Sequence, residues 1–177
     1  MKKLLTVFCT FTLFLSGCAT INERGENYKK QLTTKSLATV EERANILAKV
    51  RTLPNPDKTQ PTWLFIREFD NIFTSSKETT KDYLNVNSVR RVKNVAFGDV
   101  RVISPKENYS DITYRVFCQK GYIRKYSVKS YNKDNSRRPN ILTLNPKDDY
   151  DEPIADNEIE LAKNICVLAG FYEGMAE

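Results

Sequence analysis

The fold is decided by the stretch Ile112-Thr113-Tyr114-Arg115-Val116-Phe117-Cys118. Apolar side chains recur at every second position of this stretch, which is the alternation of a β-strand with one buried face. The face predicted to be buried carries Ile112, Tyr114, Val116 and Cys118. The turn Gln119-Lys120-Gly121 then predicts a tight hairpin into a second strand, Tyr122 to Tyr131.

Further strands are predicted on both sides of this hairpin. Branched and aromatic residues with a period of two, separated by turn residues, indicate three strands upstream. They run from Trp63 to Phe73, from Tyr83 to Val89 and from Val95 to Ile103. Downstream, Ile141 to Leu144 is the candidate for a sixth strand, after the polar loop Asn132 to Asn140.

The chain is predicted to close with a helix. Asp156 fits its N-cap, Ala169 its end and Gly170 the C′ position that favours glycine. Its apolar positions are Ile159, Leu161, Ala162, Ile165, Cys166, Leu168 and Ala169. The sequence therefore predicts an α+β fold, in which an antiparallel sheet of about five to six strands is covered on one face by a C-terminal helix.

A shorter helix precedes the sheet. Thr39-x-x-Glu42 fits a capping box, and the proline-rich segment Leu53-Pro54-Asn55-Pro56 ends the helix. We assign residues 39–61 to a short helix with a proline-rich linker and residues 62–177 to the α+β domain. The sequence leaves open whether this helix packs on the domain or stiffens a stalk.

The N-terminus resembles a bacterial lipoprotein signal. A basic start, Met1-Lys2-Lys3, is followed by the apolar run Leu4 to Leu15, which is too short to span a bilayer. The run ends at Leu15-Ser16-Gly17-Cys18, which is similar to a lipobox. We expect residues 1–17 to be cleaved, Cys18 to be acylated and residues 18–38 to form a flexible tether. Because Ala19 is not aspartate, the sorting pattern favours lipid anchoring in the outer membrane.

Two cysteines remain for the domain once Cys9 leaves with the signal and Cys18 carries lipid. In an oxidising envelope, Cys118 and Cys166 are expected to form a disulfide. Two alternatives are weaker. A catalytic thiol needs a base or cation to lower its pKa, and two cysteines alone do not complete a zinc site.

Composition argues against several chemistries. The chain has no histidine, which excludes Ser-His-Asp, Cys-His and His-ligated zinc sites within it. Removal of Lys2 and Lys3 lowers the formal charge from +6 to +4, which is weak support for nucleic-acid binding. The acidic run Asp148 to Glu152 lacks the spacing of a calcium loop. We therefore expect no catalytic residues, no metal, no cofactor and no nucleic acid.

The order of elements from Trp63 to Gly170 resembles the surface-adhesin protein E family of Gram-negative lipoproteins. The similar segments are Tyr83-Leu84-Asn85-Val86-Asn87-Ser88-Val89, Pro105-Lys106, Tyr114-Arg115-Val116-Phe117-Cys118 and Asn164-Ile165-Cys166. The resemblance implies a six-stranded antiparallel sheet, a C-terminal helix and a disulfide between the two domain cysteines. It also implies binding of host proteins. One departure is that Glu107, rather than a second basic residue, follows Lys106.

Basic and aromatic residues in and around the last hairpin are the candidate binding site. With Lys106 from the family pattern, the candidates are Lys120, Arg124, Lys125, Lys129, Tyr131, Arg137 and Arg138. Tyrosine and arginine are enriched at protein-binding hot spots, but lysines also protect edge strands from aggregation. Simple alternation puts Tyr122, Arg124 and Tyr126 opposite Lys125, Lys129 and Tyr131, so that about half of the cluster could act together.

These observations predict a non-enzymatic outer-membrane lipoprotein whose domain binds a host extracellular matrix or serum protein. The alternative is an accessory lipoprotein that faces the periplasm and holds an envelope or secretion complex together. Either protein would meet the membrane through Cys18 and could form a homodimer.

Overall fold

A computed structural model of the chain describes residues 27–28, 30–31, 35–54, 59–70, 79–139 and 151–173. Six strands form one antiparallel sheet in the order β1-β2-β3-β4-β5-β6. The strands are β1 (Trp63–Asp70), β2 (Thr79–Val92), β3 (Val95–Ile103), β4 (Tyr109–Phe117), β5 (Tyr122–Tyr131) and β6 (Glu152–Pro153). The helices are α1 (Val40–Arg51) and α2 (Ile159–Leu168), and a 3-10 turn (Asp156–Glu158) precedes α2.

The core lies between one face of the sheet, here called the inner face, and α2. Alternate residues of β4 are buried, as the sequence predicts, and α2 contributes Leu161, Ala162 and Ile165. The inner-face residues that pack with them include Leu64, Leu84, Ala96, Val100, Val116 and Ile123. The predicted α+β arrangement is therefore confirmed, with α2 covering one face of an antiparallel sheet.

Two close contacts hold α2 on the sheet. Cys118 and Cys166 form a disulfide that joins the end of β4 to the helix, which confirms the predicted pairing. At Gly98 the helix approaches β3 so closely that a Cβ atom there would lie 3.1 Å from both Ile165 Cγ1 and Leu84 Cδ1. The absence of a side chain at residue 98 therefore sets the spacing between helix and sheet.

The C-terminal end of α2 agrees with the sequence, whereas its start differs. Gly170 has a φ of 85°, and the Phe171 amide donates to the Cys166 carbonyl at 2.8 Å, which is a Schellman motif. Asp156, the predicted N-cap, instead opens the 3-10 turn, and its carboxylate pairs with Lys35 at 2.9 Å. The α-helix therefore begins at Ile159, with Glu158 rather than Asp156 in the N-cap position.

The short helix α1 packs on α2, which answers the question that the sequence left open. The predicted capping box between Thr39 and Glu42 is present. Ile46 is the buried residue of α1 and clusters with Val167 of α2. The Lys163 ammonium lies 2.7 and 2.8 Å from the two Glu42 carboxylate oxygens, so a charge pair adds to the small apolar contact.

The last residues of the predicted tether belong to the folded unit. Described residues 27–28, 30–31 and 35–36 are helical, and Ser36 and Ala38 have no exposed surface. The Ser36 hydroxyl donates to the Cys118 carbonyl, and Leu37 packs against the core. The predicted end of the tether at residue 38 is therefore too far along the chain, because these small and apolar side chains complete the core near the disulfide.

Strand bounds match the prediction best in β3 and β5. The bounds of β3 and β5 are those predicted, whereas β2 extends the predicted 83–89 at both ends. Residues 71–73 of the first predicted strand and the candidate strand at 141–144 lie outside the described residues. The sixth strand of the described sheet is the two-residue β6, which borders β5.

Candidate functional site

The solvent-facing side of the sheet, here called the outer face, is unusually aromatic. An antiparallel sheet with one packed face normally carries polar side chains on the other. Here nine of the chain's nineteen aromatic side chains lie on the outer face, and none of the nine is fully buried. They are Trp63, Phe65, Tyr83, Phe97, Tyr109, Phe117, Tyr122, Tyr126 and Tyr131. Such a face is a candidate binding surface.

A β-bulge in β5 corrects the prediction that the hairpin residues divide between two faces. Thr113 pairs with Ser127 but Tyr114 pairs with Lys125, so Tyr126 is an extra residue in β5. Alternation restarts after the bulge. Tyr122, Arg124, Lys129 and Tyr131 therefore share the outer face, whereas Lys125 pairs with Tyr114 on the inner side.

Arg101 is the centre of the outer face. Its Nε and Nη2 atoms donate to the two carboxylate oxygens of Asp111 at 2.8 and 2.9 Å. Its guanidinium also lies 4.7 Å from the Trp63 ring centroid and 4.1 Å from that of Tyr109. The hydrogen bonds to Asp111 raise the pKa of Arg101 further, and a guanidinium is already charged at its ordinary pKa. Two rings and a carboxylate thus hold one cation in a single orientation.

The ring stack continues across the next strand. Tyr109 and Tyr131 are stacked with centroids 4.9 Å apart, and the Tyr109 hydroxyl donates to Asn135 Oδ1 at 2.8 Å. Trp63, Arg101, Tyr109 and Tyr131 therefore form one stack that crosses β1, β3, β4 and β5. We call these four residues the ring stack.

A groove of about 250 Å³ lies along the ring stack. On its floor the Ser127 hydroxyl donates to Thr113, and the Thr113 hydroxyl donates to Asp99 Oδ1 at 2.7 Å. Exposed Lys129 also lines the groove. The groove is therefore polar at its floor and aromatic at its sides.

A second aromatic cluster occupies the opposite half of the outer face. The rings of Phe97 and Tyr126 meet edge to face at 6.0 Å, and 60% of the Tyr126 surface is exposed. Arg90 lies over the Phe97 ring, and Arg115 lies over Phe117 while its Nη2 donates to Asp151 at 3.2 Å. Arginines and rings are therefore combined over the whole length of the face.

The structure separates the candidate residues into four places. Lys129 and Tyr131 line the groove, and Arg124 lies further along the same face. Lys106, Arg137 and Arg138 belong to the loops 104–108 and 132–138 at one end of the sheet, which we call the tip. Lys120 lies in the turn at the other end of the sheet. The length of β4 separates this turn from the tip by about 30 Å, because a strand rises about 3.3 Å per residue. Lys125 points to the inner side.

The chain joins the sheet at the end opposite the tip. Ser36 binds the Cys118 carbonyl just after β4, whereas the tip loop 104–108 comes just before β4. The two tip loops are fastened together, since the Lys133 amide donates to Asn108 Oδ1 and Lys133 pairs with Glu107. The tip and the half of the outer face that carries the ring stack therefore lie away from the point where the N-terminal segment arrives.

A buried ion pair on the inner face is separate from this surface. Arg67 Nε donates to Asp82 Oδ2 at 2.7 Å, and only 2% of Asp82 is exposed. Burial raises the pKa of Asp82, although the hydrogen bond from Arg67 opposes the shift. Burial also raises the pKa of neighbouring Tyr114. These shifts follow from desolvation in the core rather than from a cleft that could hold a substrate.

Comparisons with known proteins give no relative of this chain. No family model, no curated protein and no solved structure matches it. Within the described residues, no group of three or more acidic or cysteine side chains is placed to hold a metal ion. In the same part of the chain, no helix is long and apolar enough to cross a membrane.

Sequence reasoning missed the residues that organise the outer face. Trp63, Asp99, Arg101, Asp111 and Thr113 were not among the candidates. A usable signal was present in the predicted strand Val95 to Ile103, where Phe97, Asp99 and Arg101 alternate with apolar residues. Alternation assigns these side chains to the solvent face, but only the strand register joins Arg101 to Asp111.

Proposed function

We propose that this protein is a non-enzymatic outer-membrane lipoprotein whose domain binds a protein partner through the outer face. The observation that carries the proposal is the ring stack, with its fixed arginine, on a solvent-facing sheet surface. Tyrosine, tryptophan and arginine dominate the energetics of protein interfaces, and rigid side chains lose little conformational entropy on binding. Host-protein binding of the surface-adhesin kind is the form of this function that we favour.

The direction of the outer face supports the same proposal. With a lipid on Cys18, the N-terminal segment would lead to the Cys118 end of the sheet, where Ser36 is bound. The tip and the ring stack would then project away from the membrane. A partner on a neighbouring surface could reach them without displacing the anchor.

Paired variants test the binding face. Tyr126 and Phe65 are exposed on the outer face, and Val40 is an equally apolar exposed residue on α1. We expect replacement of Tyr126 and Phe65 by serine to reduce retention of matrix, serum or envelope proteins by the full chain at least tenfold. The Val40→Ser variant should retain these proteins as well as the wild-type chain does. Equal retention by both variants would contradict the proposal.

Protease shaving of intact cells tests the adhesin form of the proposal. Degradation of the domain while a periplasmic control survives supports surface display, and the partner is then sought among host proteins. Protection of both proteins contradicts the adhesin form. The outer face would then be tested against envelope proteins, as the accessory-lipoprotein alternative requires.

A further inference from the structure

Strand β1 is the edge of the sheet that the described residues form. Among the described residues, Trp63–Asp70 pairs with β2 alone. The opposite edge is closed differently, because β6 has only two residues and one of them is Pro153, which has no amide hydrogen to donate. The eight residues of β1 include neither lysine nor proline, the residues that most often protect an edge.

The ladder between β1 and β2 shows which backbone groups of β1 face outward. The Val86 amide donates to the Thr62 carbonyl at 2.9 Å, so Val86 directs its backbone groups toward β1. Alternation gives the same direction to Leu84, Asp82 and Thr80. Their partners Leu64, Arg67 and Phe69 are therefore engaged with β2, with a bulge at Ile66. The backbone groups that point away from the sheet belong to Trp63, Phe65, Glu68 and Asp70.

The side chains of these outward-pointing residues extend the outer face to the edge. Trp63 belongs to the ring stack, and 48% of Phe65 is exposed while its ring meets Tyr83 edge to face at 5.5 Å. Glu68 and Asp70 are exposed carboxylates beyond the bulge, and Glu68 also accepts a hydrogen bond from the Thr79 hydroxyl and lies 3.8 Å from the Lys81 ammonium. Apolar rings thus mark one half of the edge and negative charge marks the other.

We propose that an extended segment of the protein partner adds to the sheet along β1. Its backbone pairs with the outward groups of Trp63, Phe65, Glu68 and Asp70, which is strand addition. Branched or aromatic side chains of the segment lie against Trp63 and Phe65 on the outer face. A basic side chain lies opposite Glu68 or Asp70. The inference rests on the proposed protein-binding function and names the backbone that the partner engages.

The bulge and the charges explain why this edge selects its occupant. A bulge twists the edge locally, and charged residues disfavour pairing with an arbitrary apolar strand. In the antiparallel register with the longest overlap, a second copy of β1 would place Phe65 opposite Glu68 and Trp63 opposite Asp70, so it would bring rings rather than a cation to the carboxylates. A partner segment with a basic residue supplies a counter-charge, which favours a heterologous occupant.

The test uses short linear peptides selected from a phage-displayed library on the full chain. We expect the best synthetic peptide to alternate apolar residues, to carry a basic residue and to protect the Phe65 and Glu68 amides from hydrogen exchange. Glu68→Pro removes an outward N–H and leaves the ladder to β2 intact. It should weaken peptide binding at least tenfold relative to Glu68→Ala, which loses the same side chain.

If Glu68→Pro lowers the unfolding midpoint, Phe65→Pro is compared with Phe65→Ala instead. If the proline and alanine variants of a pair are both folded and bind the peptide with equal affinity, the inference is overturned. It is also overturned if the peptide protects only amides outside β1. A concentration-dependent dimer in sedimentation that disappears in Glu68→Pro overturns it in favour of a second copy. The proposed function has its own test, which is whether the variant with serine at Tyr126 and Phe65 still retains whole partner proteins.

Discussion

Arg101 donates two hydrogen bonds to the carboxylate of Asp111, at 2.8 and 2.9 Å, on a face of the sheet that is open to solvent. A bidentate pair of this kind fixes the plane of the guanidinium. Because the plane is fixed, Trp63 and Tyr109 can lie on the cation at 4.7 and 4.1 Å. The surface is therefore organised before any partner arrives, which lowers the entropy lost on binding.

Replacement of Arg101 should be visible in the fluorescence of Trp63, the single tryptophan of the chain. We expect Arg101→Gln to shift the emission and to lower the free energy of unfolding by about 1–2 kcal/mol, since a paired cation–π contact is lost. Arg137→Gln changes an exposed arginine of the tip and serves as control. Unchanged emission in Arg101→Gln would refute the stacking.

The disulfide should supply a large part of the stability. Cys118 and Cys166 are separated by 48 residues, and closure of such a loop in the unfolded chain is worth about 4 kcal/mol in the chain-entropy model. We expect Cys118→Ala with Cys166→Ala to lose stability of this order in denaturant titration, and reduction of the wild-type chain to do the same. A reduced protein as stable as the oxidised one would contradict this prediction.

Replacement of the two glycines beside α2 should lower the stability of the fold for different reasons. A Cβ at residue 98 would lie 3.1 Å from Leu84 Cδ1 and Ile165 Cγ1, so Gly98→Ala should cost about 1–3 kcal/mol through overpacking. Gly170 has open space around it but a φ of 85°. Gly170→Ala should cost about 1 kcal/mol, and Gly170→Asn less. Thermal unfolding of the three variants measures both effects. Equal loss in Gly170→Ala and Gly170→Asn would argue against backbone strain.

Replacement of one member of the buried pair of Arg67 and Asp82 should cost more stability than replacement of both. Asp82→Ala leaves the Arg67 cation without its partner and should cost about 3–5 kcal/mol. Arg67→Met combined with Asp82→Leu should cost less than that single change, because no buried charge remains. Denaturant titration of the two variants makes the comparison. A larger loss in the double variant would contradict the desolvation argument.

The same pair predicts a pH dependence. Burial raises the pKa of Asp82 in the folded state above its ordinary value of 3.8. The folded state therefore binds this proton more tightly, and the stability gained is complete below pH 3.8 and lost as the pH rises through the raised pKa. We expect the unfolding free energy of wild type minus that of Asp82→Asn to fall with rising pH above 3.8. A difference that rises instead would show a lowered pKa.

The fold was largely predictable because it depends on local alternation. The bounds of β3 and β5 and the buried face of β4 follow from residues that are neighbours in sequence. The outer face was harder, because it depends on register. One extra residue at Tyr126 reverses the faces of Lys129 and Tyr131, and no composition signal marks that bulge. Asp156 is a reasonable N-cap by residue type, but the approach of Lys35 gives its carboxylate a different partner.

The most direct measurement is site-specific photo-crosslinking of the full chain in its own cells, incubated with matrix and serum proteins. A crosslinking residue at Tyr126 reports on the outer face, and one at Ala48, which is exposed on α1, reports on the helical side. We predict a discrete crosslinked protein from position 126 that is absent from position 48 and is lost when Arg101 is replaced by glutamine. The same adduct from both positions, or its persistence without Arg101, would contradict the outer face as the binding surface.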